Sequence, residues 1–147
     1  MPPAAVLSAW ARRLAATFAL RQPRAALARL GVGLLVRTQP LCGRRRQVFG
    51  AWDPVLRRIE IYGCGEARSD AELVRTLGHE LWHVMADAQR RAARRRHGEC
   101  HAGEAAARRF ADMWLQCLPP ADVQACAAAL RALALARSDV VGIDGGA

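Results

Sequence analysis

Residues 69–91 carry the features of one long amphipathic helix. The segment opens on Ser69-Asp70-Ala71-Glu72, a capping box in which a serine and a glutamate three residues later satisfy the free backbone N–H groups of a helix start. Apolar residues then recur at helical spacing, at Leu73, Leu77, Leu81, Val84 and Ala88. Such a stripe has to be buried, so the rest of the chain must pack around this helix.

The segments on either side of this helix differ in their periodicity and their breaker residues. Helical spacing and Pro or Gly boundaries predict further helices over about 9–20, from Pro23 to about 30, over about 102–117 and over about 121–137. Residues 34–37, 47–52 and 56–62 are strand-like, and the turn pair Asp53-Pro54 joins the last two. Residues 56–62 mix charged and apolar side chains, which predicts an edge strand. We therefore expect an α+β fold, mostly helical, with a small antiparallel sheet before the long helix.

The length and the cysteine usage fit one such domain. A chain of 147 residues can bury a substantial core without staples. We divide it into a basic N-terminal helical segment at 1–33, the main domain at 34–140 and a disordered tail at 141–147. No stretch approaches the roughly 20 apolar residues of a membrane span. The five cysteines are an odd number without a C-x-x-C pair, which indicates a reduced, cytoplasmic protein.

The charge is concentrated at one end of the chain. The formal net charge is +9, and residues 1–52 contain nine arginines and no acidic residue. Such a segment can attract nucleic acid, an anionic membrane or an acidic partner protein. The alternative is a solvated basic helix with no partner, because net charge bears on association and not on fold.

The long helix also carries an H-E-x-x-H motif, His79-Glu80-Leu81-Trp82-His83. Residues four apart lie one turn apart on the same face, so both imidazoles can reach one point. Zinc accepts imidazole nitrogens at about 2.0–2.1 Å. Glu80 is rotated by about 100° from His79 on an ideal helix, which suits a base that takes a proton from water better than a third ligand. The motif predicts Zn²⁺ held by His79 and His83, with Glu80 as the catalytic base.

A catalytic zinc site needs a third protein ligand and leaves one position open. Position 89 is Gln89, so the pattern with a third histidine six residues after the motif is absent. The next candidates along the chain are Glu99, Cys100, His101 and Glu104. Glu104 lies near the start of the following helix, where a carboxylate also complements the helix dipole whether or not it binds a metal.

Two stretches together resemble the ImmA/IrrE family of gluzincin peptidases. The first is Thr76 to His83, and the second comprises Glu104, Ala107, Phe110-Ala111 and Leu118-Pro119. The resemblance covers roughly residues 48–119. It implies a zincin-like domain with metal ligands His79, His83 and Glu104 and with Glu80 as base. It also implies that residues 58–61 form an edge strand beside a substrate cleft. The substrate would be a protein or peptide, since family members often cut a helix-turn-helix repressor.

The sequence departs from this family at Trp82, where members usually have Gly or Ala, and a ring there could narrow the cleft or pack under it. A donor should also stabilise the oxyanion of a peptidase, and His97, His101 and Tyr62 are the candidates. Substrate could add as an extended strand along residues 56–62.

Two other functions remain open from the sequence. One is a non-catalytic, zinc-stabilised basic module that binds nucleic acid or an acidic protein. The other is a SprT-like protease acting at DNA, although such proteins usually carry a cysteine-rich zinc ribbon and no C-x-x-C pair is present.

Overall fold

A computed structural model describes the backbone of residues 3–42, 47–65, 68–92 and 100–143. Within these ranges the helices α1 to α5 span Ala4–Thr17, Pro23–Arg29, Asp70–Ala92, Cys100–Cys117 and Pro120–Ile143. The strands β1 to β5 span Gly33–Val36, Leu41–Cys42, Gln47–Val48, Gly50–Asp53 and Arg58–Ile61. The predicted class is confirmed, because the fold is mostly helical and its small sheets precede the long helix α3.

The three-stranded sheet is mixed and not antiparallel. Its order is β1-β5-β4, with β1 parallel and β4 antiparallel to the central strand β5. The strands β2 and β3 form a separate antiparallel pair. Hairpin signals in a sequence report only antiparallel neighbours, whereas the parallel partners β1 and β5 are brought together by a long connection. The prediction of an antiparallel sheet is therefore wrong for β1.

The central strand β5 lies in the segment whose mixed polarity predicted an edge. Ile59 and Ile61 are fully buried on one face of the sheet. On the other face the Nε of Arg58 donates a hydrogen bond to Oε2 of Glu60 at 2.7 Å. The predicted edge position of residues 56–62 is wrong, because these charged side chains satisfy each other within the strand and do not need open solvent.

The edge of the sheet next to α3 is β4. Gly50 at its start lies against Thr76 and Glu80 of α3, and Asp53 at its end forms the turn into β5. Oδ1 of Asp53 accepts hydrogen bonds from the backbone N–H groups of Val55 and Leu56, at 2.9 and 3.0 Å. The predicted turn is therefore present, and the β4–β5 hairpin places the edge strand β4 beside the helix that carries the H-E-x-x-H motif.

The helix α3 begins as the capping residues predict. Oγ of Ser69 accepts a hydrogen bond from the N–H of Glu72 at 3.2 Å. Arg131 of α5 donates to Oδ1 of Asp70 at 2.6 Å, which ties α5 to the first turn of α3. The apolar stripe faces the core, where Leu73, Leu77 and Leu81 are buried.

The N-terminal helices belong to the same hydrophobic core as the rest of the described chain. Leu7 and Ala11 of α1 are fully buried. Phe18 meets Trp114 of α4 edge to face, with ring centroids 6.1 Å apart. The segment 1–33 therefore contributes one apolar side to the domain, and α1 begins at Ala4, earlier than the predicted start near residue 9.

The last helix, α5, is longer than the predicted helix over about 121–137. α5 continues to Ile143, past the predicted end near residue 137 and into the segment expected to be a disordered tail at 141–147. No Pro or Gly interrupts the sequence between Pro120 and Gly142, so nothing ends the helix earlier. Residues 144–147 lie outside the described part of the chain. Among the helices of the described ranges, none is long and apolar enough to cross a membrane.

Candidate metal centre

The helices α3 and α4 bring the side chains of His79, His83 and Glu104 to one point. Nε2 of His79 lies 3.0 Å from Oε2 of Glu104, and Nε2 of His83 lies 2.9 Å from Oε1 of the same carboxylate. The two Nε2 atoms are 3.3 Å apart. Within the described residues, these three side chains form a group that could hold a metal ion.

These separations fit a tetrahedral ion. Two nitrogen ligands about 2.0–2.1 Å from a tetrahedral metal lie about 3.3 Å from each other. The separation of the two histidine Nε2 atoms, 3.3 Å, has this value. Each carboxylate oxygen of Glu104 is only slightly nearer to its histidine nitrogen, at 3.0 and 2.9 Å. The three donors therefore surround a common centre instead of lying in a row. The site could therefore accept an ion with little movement of the side chains.

The protonation of the two histidines also suits a ligand role. Burial lowers the pKa of both His79 and His83 because a charged ring loses its hydration, and this outweighs the opposing effect of the Glu104 carboxylate. A lowered pKa keeps the imidazoles neutral near pH 7, and a metal requires the unprotonated ring nitrogen. The close contacts of these rings with Glu104 are therefore not ion pairs between charged groups.

Among the residues that the structure describes, Glu80 is the buried ionisable side chain, with only 5% of its surface exposed. Burial raises its pKa to about 8, and the nearby Glu104 carboxylate contributes in the same direction. It does not belong to the His79, His83 and Glu104 group, yet two cavities that reach this group, of about 250 and 350 Å³, are both lined by Glu80. A carboxylate with a pKa near neutrality is suited to both accepting and returning a proton.

The edge strand approaches Glu80 so closely that any side chain at position 50 would force Glu80 and Thr76 to shift. A Cβ atom placed on Gly50 would lie 2.9 Å from Oε2 of Glu80 and 2.7 Å from Cγ2 of Thr76. Such distances are shorter than ordinary van der Waals contact, about 3.5–4.0 Å between carbons. Gly50 therefore lets β4 lie directly over the carboxylate.

Two tryptophan–glycine contacts set the spacing of α3 and α4 around the three donors. The ring of Trp114 on α4 lies over Gly78 on α3, where an added Cβ would come within 2.4 Å of its Cε3. The ring of Trp82 on α3 lies over Gly103 on α4, where an added Cβ would come within 3.0 Å of its Cζ3. Each glycine directly precedes a donor residue, so these contacts control how near Glu104 comes to the histidines.

Trp82 is thus packed between the two helices, with 6% of its surface exposed. Its ring meets His83 edge to face, with centroids 5.3 Å apart. Part of it also lines one of the cavities at the donors. The ring supports His83 and at the same time bounds the cleft.

The cleft consists of two cavities, of about 250 and 350 Å³, that meet at Gly50, His79, Glu80 and Glu104. The smaller one is lined by the guanidinium-bearing residues Arg75 and Arg108. The larger one contains the apolar side chains Trp52, Pro54 and Trp82. Gly50, Trp52 and Arg108 were not among the predicted site residues, because only the fold brings them to the donors. The one available signal was the position of Arg108, one turn after Glu104 on the same helix face.

Of the three predicted oxyanion donors, Tyr62 is the one whose side chain lies in the described part of the chain, and it is not at this cleft. The hydroxyl of Tyr62 donates to Oε1 of Glu60 at 2.7 Å, and Tyr62 does not line either cavity at the donors. Burial raises its pKa to about 12. His97 lies outside the described residues, as do Glu99 and the side chains of Cys100 and His101. Of the candidates for the third ligand, Glu104 is the one that the described structure brings to the histidines.

Comparisons of the chain with protein-family models, with curated proteins and with solved structures found no match.

Proposed function

We propose that this chain is a zinc-dependent endopeptidase in which Glu80 is the general base, as its resemblance to the ImmA/IrrE family implies. The observation that carries the proposal is the convergence of His79, His83 and Glu104 on one point, beside a separate buried carboxylate. Two imidazoles and one carboxylate are a donor set of known catalytic zinc sites, which keep three protein ligands and an open position. A bound zinc ion supplies a Lewis acid that polarises a carbonyl oxygen and makes water more acidic.

The protein's own residues then have distinct tasks. Glu80 holds the proton that leaves the attacking water and passes it to the amine of the leaving peptide. Its burial next to Gly50 keeps the carboxylate close to a substrate lying on β4. Arg108 lines the cleft beside His79 and Glu104, and we assign to its guanidinium the role of a hydrogen-bond donor to the developing oxyanion.

The substrate is a peptide in extended form. Within the described residues, the strand β4 is the edge strand of the sheet that lies beside α3, and its residues 50–52 line the larger cavity together with His79 and Glu80. A free edge offers N–H and C=O groups that an added strand can pair with. Strand addition, which the sequence analysis placed on residues 56–62, therefore belongs to β4. The apolar residues Trp52 and Pro54 favour an apolar substrate side chain on that side.

The experiment compares wild type with Glu80→Gln, His83→Ala and the matched control Glu72→Gln, which changes a glutamate on the same helix away from the cavities. Metal content is measured after zinc loading and dialysis, and cleavage is measured on a mixed peptide library by mass spectrometry. We expect one zinc per chain in all proteins except His83→Ala, and cleavage only by wild type and Glu72→Gln.

The other outcomes separate the alternatives. A wild-type protein that holds zinc but cleaves nothing would be a metal-stabilised binding module. Cleavage that requires DNA would favour a SprT-like protease. A wild-type protein that takes up no metal would contradict the proposal altogether.

A further inference from the structure

A separate cavity, apart from the two at the metal centre, lies on the other side of α3. It has a volume of about 490 Å³, within the range of roughly 300–1,000 Å³ that small-molecule sites occupy. Its walls come from α1, from the middle and end of α2, and from the second half of α3. On α3 the lining residues are Leu81, Val84, Met85, Ala88 and Gln89. The histidines of the metal centre lie on the opposite face of that helix, so the two sites share the helix and no donor.

The walls of this cavity are apolar and include two aromatic rings. Trp10, Leu14 and Phe18 line it from α1. Leu30, at the end of α2, borders it and is 55% exposed. This cavity opens to water. An apolar ligand that fills it removes apolar surface from water, which is favourable. The cavity extends along Trp10–Phe18 of α1, about 12 Å at the rise of an α-helix, which suits an elongated ligand.

Among the described residues, the charged side chains that line the cavity are two cations. Arg13 on α1 and Arg29 on α2 line it and are exposed. The chain has no acidic residue before Asp53, so neither guanidinium has an acid partner from its own segment. Within the described residues, the ion pairs of the structure involve other arginines, such as Arg21 with Asp122. The guanidinium of an arginine can bind a carboxylate with two parallel hydrogen bonds.

We propose that this cavity binds a free fatty carboxylate, with the alkyl chain between α1 and α3 and the carboxylate held by Arg13 and Arg29. The apolar walls disfavour a phosphate or a nucleic acid, which would leave its polar groups without partners. The two cations disfavour an amphiphile with a positive head group. This site is separate from the proposed peptidase reaction, and its occupation does not require a metal.

The test is isothermal titration calorimetry of the zinc-free protein with dodecanoate and dodecyltrimethylammonium below their micelle concentrations and with dodecanol below its solubility limit. The variant Arg13→Gln/Arg29→Gln removes both cations. The matched control Arg12→Gln/Arg24→Gln removes the same charge from exposed positions on the same helices that do not line the cavity. A third variant, Ala88→Leu, fills part of the cavity from an exposed position on α3, and circular dichroism confirms that each variant is folded.

We expect dodecanoate to bind wild type with a stoichiometry of one. Loss of both cations should weaken its binding about tenfold, as expected for two partly solvated charge contacts. The control should bind like wild type. Dodecanol should bind wild type and Arg13→Gln/Arg29→Gln equally, and Ala88→Leu should weaken the binding of both ligands.

Several results would overturn the proposal. One is the absence of saturable dodecanoate binding to wild type. Another is an equal loss of affinity in the control variant, which would show a general charge effect. Tight binding of dodecyltrimethylammonium would contradict the role of the arginines. Binding to anionic phospholipid vesicles or to an acidic helical peptide without dodecanoate binding would assign the surface to a membrane or a protein instead.

Discussion

The contact between Gly78 and Trp114 offers the sharpest test of how the metal centre is positioned. Glycine in the middle of a helix costs about 1 kcal/mol relative to alanine, so helix propensity alone predicts that Gly78→Ala stabilises the protein. The structure predicts the opposite. The new methyl group would lie 2.4 Å from Cε3 of Trp114 and 3.5 Å from Cα of Ala111, so α3 and α4 would have to separate by about 1 Å to restore ordinary contact.

The cost can be worked from this overlap. Overpacking a buried site costs about 1–3 kcal/mol, and a clash with a fully buried ring falls at the upper end. Subtracting the gain in propensity leaves a net loss of about 2 kcal/mol in the free energy of unfolding. For a chain of this size that corresponds to a fall of about 4–8 °C in Tm. The same separation moves Glu104 away from His79 and His83, and we expect about 10–100-fold weaker metal binding.

Guanidinium unfolding of the zinc-free protein measures the first effect, and zinc competition against a chelating dye measures the second. The variant Gly103→Ala is the graded comparison, because its methyl group would lie 3.0 Å from the ring of Trp82 and should cost less. In the background of Trp114→Phe, which removes the ring atoms that clash, most of the penalty of Gly78→Ala should disappear. A Gly78→Ala protein that is more stable than wild type, or an equal penalty in both backgrounds, would refute the reasoning.

Three further outcomes follow from the described geometry. Burial raises the pKa of Glu80 to about 8 from an unfolded value of 4.5. Between these two pH values the folded zinc-free protein therefore holds a proton that the unfolded chain has lost, and the free energy of unfolding falls as the pH rises. Urea unfolding at about pH 5 and about pH 8 should therefore show a growing advantage of Glu80→Gln at the higher pH, and a constant difference would contradict this. Gly50→Ala should retain zinc but lose most peptidase activity, since its methyl group would meet Glu80 and Thr76; unchanged kcat/KM would exclude this role of β4. Burial raises the pKa of Cys126 to about 12. A thiol reagent at about pH 8 should therefore modify the exposed Cys117 and spare Cys126 until the protein unfolds. Labelling of both cysteines in the native protein, measured by mass spectrometry, would contradict the packing of α5.

The features that the sequence predicted well are local. The cap at Ser69 and the apolar stripe of α3 depend on residues within a few turns of each other, and the structure has both. His79 and His83 meet because they are one helical turn apart. None of these predictions required knowledge of what the helix packs against.

The errors concern contacts between distant segments. The strand β5 has the composition of an edge, yet it is central because Arg58 and Glu60 pair with each other and because β1 adds to its far side. The pairing of β1 with β5 joins residues more than twenty positions apart, and no periodicity reports it. Tyr62 was a candidate oxyanion donor, but its hydroxyl donates to Glu60 and it lines neither cavity at the metal centre.

The third ligand shows why a site of this kind is only partly visible in a sequence. Four residues that follow the motif, Glu99, Cys100, His101 and Glu104, were candidates for the third ligand, and their spacing alone did not choose among them. Glu104 reaches the histidines because α4 crosses α3 at a distance set by two rings lying on two glycines. Those glycines and tryptophans look unrelated in the sequence, and their pairing exists only in the folded chain. The same packing leaves the opposite face of α3 free to border a second cavity, so one helix can serve a metal on one side and an apolar ligand on the other. Measuring zinc affinity with and without dodecanoate would show whether the helix couples the two sites. If α3 is rigid, dodecanoate should leave the zinc affinity unchanged. If the ligand moves the helix, the zinc affinity should change.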